Sequence, residues 1–230
     1  MAAILALDTS TGSCSVALAY EQRIFEEHID LPREHARRLL PMIDKLLRQT
    51  GLNVDQLDAI AFTCGPGSFT GLRIGFGVVQ GLAYGAGIPV IPVSTLEVMA
   101  HKGARDHLGG NGRVMPALDA RMGEWYWGLY EFRHGRASTL IPDRVDEPAR
   151  IAGASPRKPD LGVGSGWLAP DAVDFSPGRL VADLEPDAMS LLDVALPRFT
   201  AGQARPVSDV ELAYLRSEVA WKKRERVRRR

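Results

Sequence analysis

Five glycines within fifteen residues set the hardest constraint on this chain. From Thr70 to Gly85 it reads TGLRIGFGVVQGLAYG, with glycine at 71, 75, 77, 81 and 85. Each costs roughly 1 kcal/mol against alanine in a helix interior, yet the flanking segments demand a helix. Leu57–Cys64 is an apolar run of strand length, Gly65-Pro66-Gly67 is a turn, and Ile88–Val93 is a second apolar run. Two strands apolar throughout, joined by a helix, predict a parallel β-α-β unit covered on both faces. At about 100° per residue the glycines share an arc of about 160°. Leu72, Phe76, Val79 and Ala83 take the opposite side, and Arg73, Gln80 and Tyr84 form the conspicuous polar stripe. The bulky face is expected on the chain's own sheet. Gly71, Gly75, Gly77, Gly81 and Gly85, with Ile74 and Val78 among them, are expected to form a subunit interface. No lysine or glutamate breaks that face, and glycine lets a second backbone come close.

The segments on either side extend the pattern. Ala3–Asp8, Cys14–Tyr20 and Arg23–Ile29 read as three sequential strands with short links, an antiparallel meander. A helix from about Arg33 to Thr50 follows, with Ala36, Leu39, Leu40, Ile43, Leu46 and Leu47 as its core stripe, Pro41 inside it and Gly51 as its cap. After Val93, Ser94 and Glu97 have the spacing of a capping box. The order βββ-α-β-α-β-α is that of a ribonuclease H-like lobe. His107–Gly112 is then a loop and a boundary, and Arg113–Asp119 and Glu124–Phe132 read as two more strands. Gly123 follows Asp119 at the spacing with which Gly12 follows Asp8, so a weak duplication is expected. Residues 142–159 are rich in proline and the least legible. Leu161–Trp167 reads as a strand and glycine turn, Pro186–Phe199 as a helix, and about Ser217–Arg226 as a last helix. The fold class is therefore α/β with two tandem ribonuclease H-like lobes. Residues 1–104 form the first, interface-forming lobe and 105–230 a smaller second one, whose last helix is free to cross back to the first. Tandem lobes of this kind are the architecture of the actin, sugar kinase and Hsp70 superfamily. There the strand-end aspartate and its hairpin face a nucleotide. That makes Asp8, Ser10, Gly67 and Ser68 candidates for a nucleotide or anion contact, against the plainer reading of turn caps.

Composition excludes several classes. No apolar run is long enough to span a membrane and the start lacks the features of a signal peptide. Cys14 and Cys64 lie inside strand-like runs, so reduced core thiols in a cytoplasmic protein are expected. The 28 bases and 28 acids cancel, but Lys222–Arg230 holds seven of the bases and one of the acids. The remainder carries a net charge of −6, unsuited to general nucleic-acid binding. The glycine loop is not a phosphate loop, because no Gly-Lys-Ser/Thr ends it. It is not a dinucleotide fingerprint, since Thr70 stands where the third glycine would, and Pro66 and Thr70 around Ser68 rule out a hydrolase elbow. Among His28, His35, His101, His107 and His134 no two are three or four apart on a helix, and there is no Cys-x-x-Cys. No metal site is expected, and no catalytic cluster.

Five segments in order carry a family resemblance: ILALDTSTGSCSVAL, PREHARRLLPMI, GPGSFTGLRIGFGVVQGLAYGAGIPVIPVSTL, DARMGEWYW and AYLRSEVAWKK. Together they closely resemble the TsaB family, also called YeaZ. They span both lobes, with 133–205 the least matched part. The resemblance implies a non-catalytic subunit in forming N6-threonylcarbamoyladenosine on tRNAs that read ANN codons. It implies pairing with a TsaD-type transferase through the first lobes, a TsaE-type ATPase joining them, and tRNA reached through the complex. It implies no cofactor of the chain's own, ATP being used elsewhere in the complex and TsaC supplying the threonylcarbamoyl-adenylate. A homodimer through the same face, and a tRNA contact by the tail 222–230, stay open. TsaD-type proteins hold a metal by a His-x-x-x-His helix motif; here His35 is followed by Leu39. That disfavours a metallopeptidase of the glycopeptidase type. A superfamily kinase or ATPase would need a second phosphate loop and a catalytic carboxylate, which the sequence does not supply.

Overall fold

Ile4–Asp8 (β1) and Ala59–Thr63 (β4) are buried at every residue, which requires cover on both faces of the sheet they share. In the computed structural model, which describes residues 2–30, 34–154 and 158–216, that cover comes from both halves of the chain. β1 pairs antiparallel with Cys14–Tyr20 (β2), which pairs antiparallel with Arg23–Ile29 (β3). On its other side β1 runs parallel to β4, and β4 parallel to Val90–Val93 (β5), giving the order β3-β2-β1-β4-β5. Alternate residues point to opposite faces. Leu5, Leu7, Val16 and Leu18 meet helices His35–Thr50 (α1) and Phe69–Ala86 (α2), which bring Leu39, Met42, Ile43 and Leu46, then Leu72, Val79 and Ala83. Phe76 is half-buried and stacks on Phe62 at 5.3 Å. α1 runs through Pro41 and ends on Gly51 in the left-handed region, φ 71°. Its stripe departs from expectation at Ala36 and Leu40, which are exposed, while Met42 is buried.

The second sheet repeats the first. Gly112–Asp119 (β6), Trp125–Arg133 (β7), Arg136–Asp146 (β8), Leu161–Val163 (β9) and Arg179–Val181 (β10) take the order β10-β9-β6-β7-β8. β6, β7 and β8 are antiparallel neighbours, and β6, β9 and β10 parallel ones, so strand directions match those of the first sheet. The short Asp-to-Gly resemblance thus marks a duplicated sheet. β8 and β10 carry no sequence signal because both are edge strands with many exposed residues, where alternation weakens. The short helix Pro148–Ala154 (α4) is likewise unmarked in the sequence.

The division at residue 104 needs correction, since the lobes exchange helices. Thr95–Leu108 (α3) packs Leu96, Met99, Ala100 and Ala104 on Val114, Leu161 and Val163 of the second sheet. Ala188–Thr200 (α5) packs Ala188, Leu191, Leu192 and Ala195 on Ile4, Ala6, Ala61 and Ile91 of the first. A helix stripe needs a complementary sheet face, and the face next in the chain is not always the free one. The capping box is also only half formed. Ser94 accepts from the N–H groups of Leu96 and Glu97, but the Glu97 carboxylate turns to Arg198 of α5, at 2.6 and 2.7 Å. Past α5 the chain returns to the first lobe, burying Val210 and Leu212 in its core, with the Ala213 N–H donating to the Cys64 carbonyl at 2.8 Å. The expected last helix and the basic tail 222–230 lie outside the described residues. Among the described residues no helix is long and apolar enough to cross a membrane.

The glycine face of α2 divides in two, which corrects two of the interface residues. A Cβ at Gly71 would collide with the Thr9 carbonyl oxygen, and one at Gly75 with Thr9 Oγ1. Both serve the chain's own packing. Gly77, Gly81 and Gly85 are exposed, with nothing within 4 Å of where a Cβ would stand, and Val78 is half-buried. Gly71→Ala should therefore destabilise the protein by about 1–3 kcal/mol through overpacking against backbone. Gly77→Ala and Gly81→Ala should each stabilise the dilute monomer by up to about 1 kcal/mol. Thermal melts of the three variants check this; equal losses at all three positions would return the whole stripe to the core.

Candidate functional site

The turn after β1 and the turn into α2 are fastened to each other. Asp8, fully buried at the end of β1, accepts at Oδ1 from the Ser10 N–H (3.3 Å), Ser10 Oγ (2.6 Å) and Thr63 Oγ1 (2.6 Å). Its Oδ2 has no partner among the described residues. Burial pushes the Asp8 carboxyl above the usual range, although the bonds from Ser10 and Thr63 oppose the shift. The Ser10 carbonyl accepts from the Ser68 N–H at 2.7 Å, and Gly67 lies so close to that carbonyl that no Cβ would fit. Thr9 Oγ1 donates to the Gly71 carbonyl at 2.9 Å, while Ser68 Oγ caps α2 by accepting from the Gly71 N–H at 3.2 Å. The four residues named for an anion contact are thus brought together. Asp8 Oδ1, Ser10 Oγ and the Ser68 N–H and Oγ are all engaged in bonds within the chain.

This fastening forms one wall of a cleft of about 960 Å³ between the lobes. Across it stand Leu118–Arg121, Ser165, Leu168 and Ala182–Glu185. Among the described residues, Asp119, Asp183 and Glu185 face the cleft against Arg121 as its one arginine or lysine, a lining that repels a polyanion. His35, on the same side as the hairpin, is buried and donates from Nε2 to the Ser13 carbonyl at 2.9 Å. One turn on, Leu39 is packed in the core. These residues do not fit a metal held by two helix histidines. Among the described residues no three His, Cys, Asp or Glu side chains gather closely enough to hold an ion. Burial pushes the Cys14 thiol up to about 12 and the Cys64 thiol up to about 11, so neither is a ready nucleophile.

The outer face of α2 is chemically more distinctive. Tyr84 is 85% exposed and Phe69 63%, beside the open Gly77, Gly81 and Gly85 and the half-buried Ile74 and Val78. The Arg73 guanidinium lies 3.2 Å from the Phe69 ring centre and 5.3 Å from that of Tyr214. Sequence periodicity could assign Arg73 and Tyr84 to a polar stripe. Nothing in the sequence connects Tyr214 to it, for that residue arrives on the returning segment after α5.

The Asp8 environment gives a pH dependence of definite sign. Its carboxyl is raised in the folded state, so its contribution is fully present below the ordinary carboxylate pKa and is lost as pH rises through the folded value. Asp8→Asn keeps an acceptor for Ser10 and Thr63 and cannot ionise. Its melting temperature should gain on that of the parent as pH rises above the ordinary carboxylate range. Parallel profiles for the two proteins would contradict the raised value.

Comparison with known proteins accords with this architecture. A family profile for TsaD, tRNA N6-adenosine threonylcarbamoyltransferase, matches residues 30–170. The tRNA threonylcarbamoyladenosine biosynthesis protein TsaB of Escherichia coli (strain K12) is 41% identical over 232 residues, covering 96% of this chain and 97% of that protein. TsaB of Haemophilus influenzae is 39% identical, covering 96% of each. The solved structure of YeaZ from Pseudomonas aeruginosa is 41% identical with a TM-score of 0.87, covering 94% of this chain and 100% of that one. With both lobes matched at this identity, the chain belongs to the TsaB family of tRNA threonylcarbamoyladenosine biosynthesis proteins.

Proposed function

We propose that this chain is a non-catalytic subunit in forming N6-threonylcarbamoyladenosine on tRNA, and that it pairs through the outer face of α2 with a TsaD-type transferase. A TsaE-type ATPase joins the pair, ATP is consumed elsewhere in the complex, and tRNA is met by the assembly. The observation that carries this reading is the exposed face of α2. Phe69, Tyr84 and the open Gly77, Gly81 and Gly85 form a surface that is broken by the exposed Arg73 and Gln80 but carries no lysine or glutamate, on a helix whose other side is fixed to the chain's own sheet. Such a surface favours association over hydration, and its glycines allow a partner helix to pack backbone to backbone. The engaged hairpin, the bonded His35 and the acidic cleft support a supporting rather than a catalytic role. The family profile for TsaD matches residues 30–170 of this chain, so a TsaD-type protein of like fold is the counterpart expected for pseudo-symmetric pairing.

The test is Gly81→Leu. A leucine there has free space within the monomer, so the melting temperature should hold. In the complex it should overpack the seam by about 1–3 kcal/mol, weakening binding to the TsaD-type partner by one to two decades. Retained affinity overturns the interface. The purified chain alone should transfer no threonylcarbamoyl group to tRNA, and restoring modification should require the partner.

A further inference from the structure

Arg216, the last described residue, stands at the mouth of the cleft between the lobes. Its guanidinium binds Glu124 and donates to the Ala120 carbonyl at 3.1 Å and the Arg121 carbonyl at 3.4 Å. Ala120 and Arg121 line the cleft. Two residues earlier, Tyr214 lies by Phe69, a residue of the opposite wall, with 6.3 Å between the ring centres. The segment 214–216 thus crosses the cleft from wall to wall, and the chain beyond it starts at the rim. Among the described residues the cleft sets the exposed carboxylates Asp119, Asp183 and Glu185 against Arg121, a net charge of −2. It also holds uncovered apolar surface, since Leu168 is 72% exposed and Phe69 is exposed. The fourteen residues that follow Arg216 read SEVAWKKRERVRRR, seven bases against two acids, a net charge of +5. One large aromatic, Trp221, comes first and the bases come after it.

We infer that the cleft is a docking site for this chain's own tail. Trp221 seats against Leu168 and Phe69, and the bases after it meet Asp119, Asp183 and Glu185. The chemistry of the cleft selects the occupant. Its net negative lining turns away a nucleic acid and favours a polycation, and its exposed leucine and phenylalanine suit an aromatic side chain. Among polycations the tail is the one fixed at the mouth by a covalent link. Extended, the five residues from Arg216 to Trp221 reach about 17 Å, so the cleft is entered without moving the anchor. A short tether also supplies an effective concentration on the order of millimolar, so an intrinsically weak contact suffices to hold the tail. Docking cancels the charge of the cleft and withholds the bases from indiscriminate contact with polyanions.

The experiment uses the full chain and the quenching of tryptophan fluorescence by acrylamide. Trp125, Trp127 and Trp167 are buried, so the accessible emission reports Trp221. At low salt the parent should be quenched no more steeply than Trp221→Phe, and between about 50 and about 500 mM salt the quenching should rise as the charges are screened. Asp183→Asn combined with Glu185→Gln removes two of the three carboxylates without adding a trypsin site. It should expose Trp221 at low salt and speed trypsin cleavage after Lys222 and Lys223 about fivefold. Melts check that the lobes are intact. A parent whose Trp221 is quenched as freely as a tryptophan in solvent overturns the inference. So does a double variant whose quenching and cleavage match the parent's, because the tail is then held elsewhere. Protection lost on about a hundredfold dilution comes from the cleft of a second copy and refutes the intramolecular contact. Should the double variant melt early, the salt series on the parent decides, and protection unchanged by salt refutes the charge pairing.

Discussion

The close approach of Thr9 to Gly71 and Gly75 is the contact on which the placement of α2 depends. Thr9 follows the buried Asp8 at the end of the central strand, and its hydroxyl bonds the Gly71 carbonyl. With the Ser10–Ser68 bond it fixes both the depth and the rotation of α2. Only a residue without Cβ can occupy either contact point. Because α2 is held on that side, its remaining glycines are turned outward, and Arg73 is placed beside Phe69 one turn earlier. The helix thus uses two of its glycines in the chain's own core and leaves three open on its outer side.

The exchange of helices explains why the two lobes form one unit. α3 leaves the first sheet to cover the second, and α5 returns to cover the first. Where they cross, Glu97 and Arg198 pair with little exposure, and Arg198 also donates to the Pro92 carbonyl at 3.1 Å. A charge pair in such a place is specific rather than strongly stabilising, since removing either member strands the other. The segment after α5 then spans both lobes. Ala213 bonds the first sheet's edge at Cys64, and Arg216 binds Glu124 and the Ala120 carbonyl in the second lobe's hairpin. Tyr214 rides on that span, so the aromatic support of Arg73 depends on the second lobe being docked.

The inter-lobe cleft has the size for a ligand and little of the chemistry. Its carboxylates outnumber its cations, and in the hairpin Thr9 and the Ser10 carbonyl are bonded to α2 and its cap. Asp8 retains an unbonded oxygen and a raised pKa, a local cost at the edge of an otherwise satisfied core.

The sequence by itself determined the elements that repeat or bury both faces. The strands up to β7, the four longer helices and the glycine caps were legible because apolar runs and 3.6-residue stripes are local consequences of burial. The duplication was legible from Asp8–Gly12 and Asp119–Gly123 alone. The family was legible from segments whose order no single glycine could establish. What only the tertiary structure decided was direction. Five glycines on one arc looked alike until Thr9 filled the space beside two of them. α5 looked like part of the second lobe until its stripe met the first sheet. Glu97 looked like a cap until Arg198 stood opposite. In each case the deciding partner is remote in sequence, and burial assigns a face only when the surface that covers it is present.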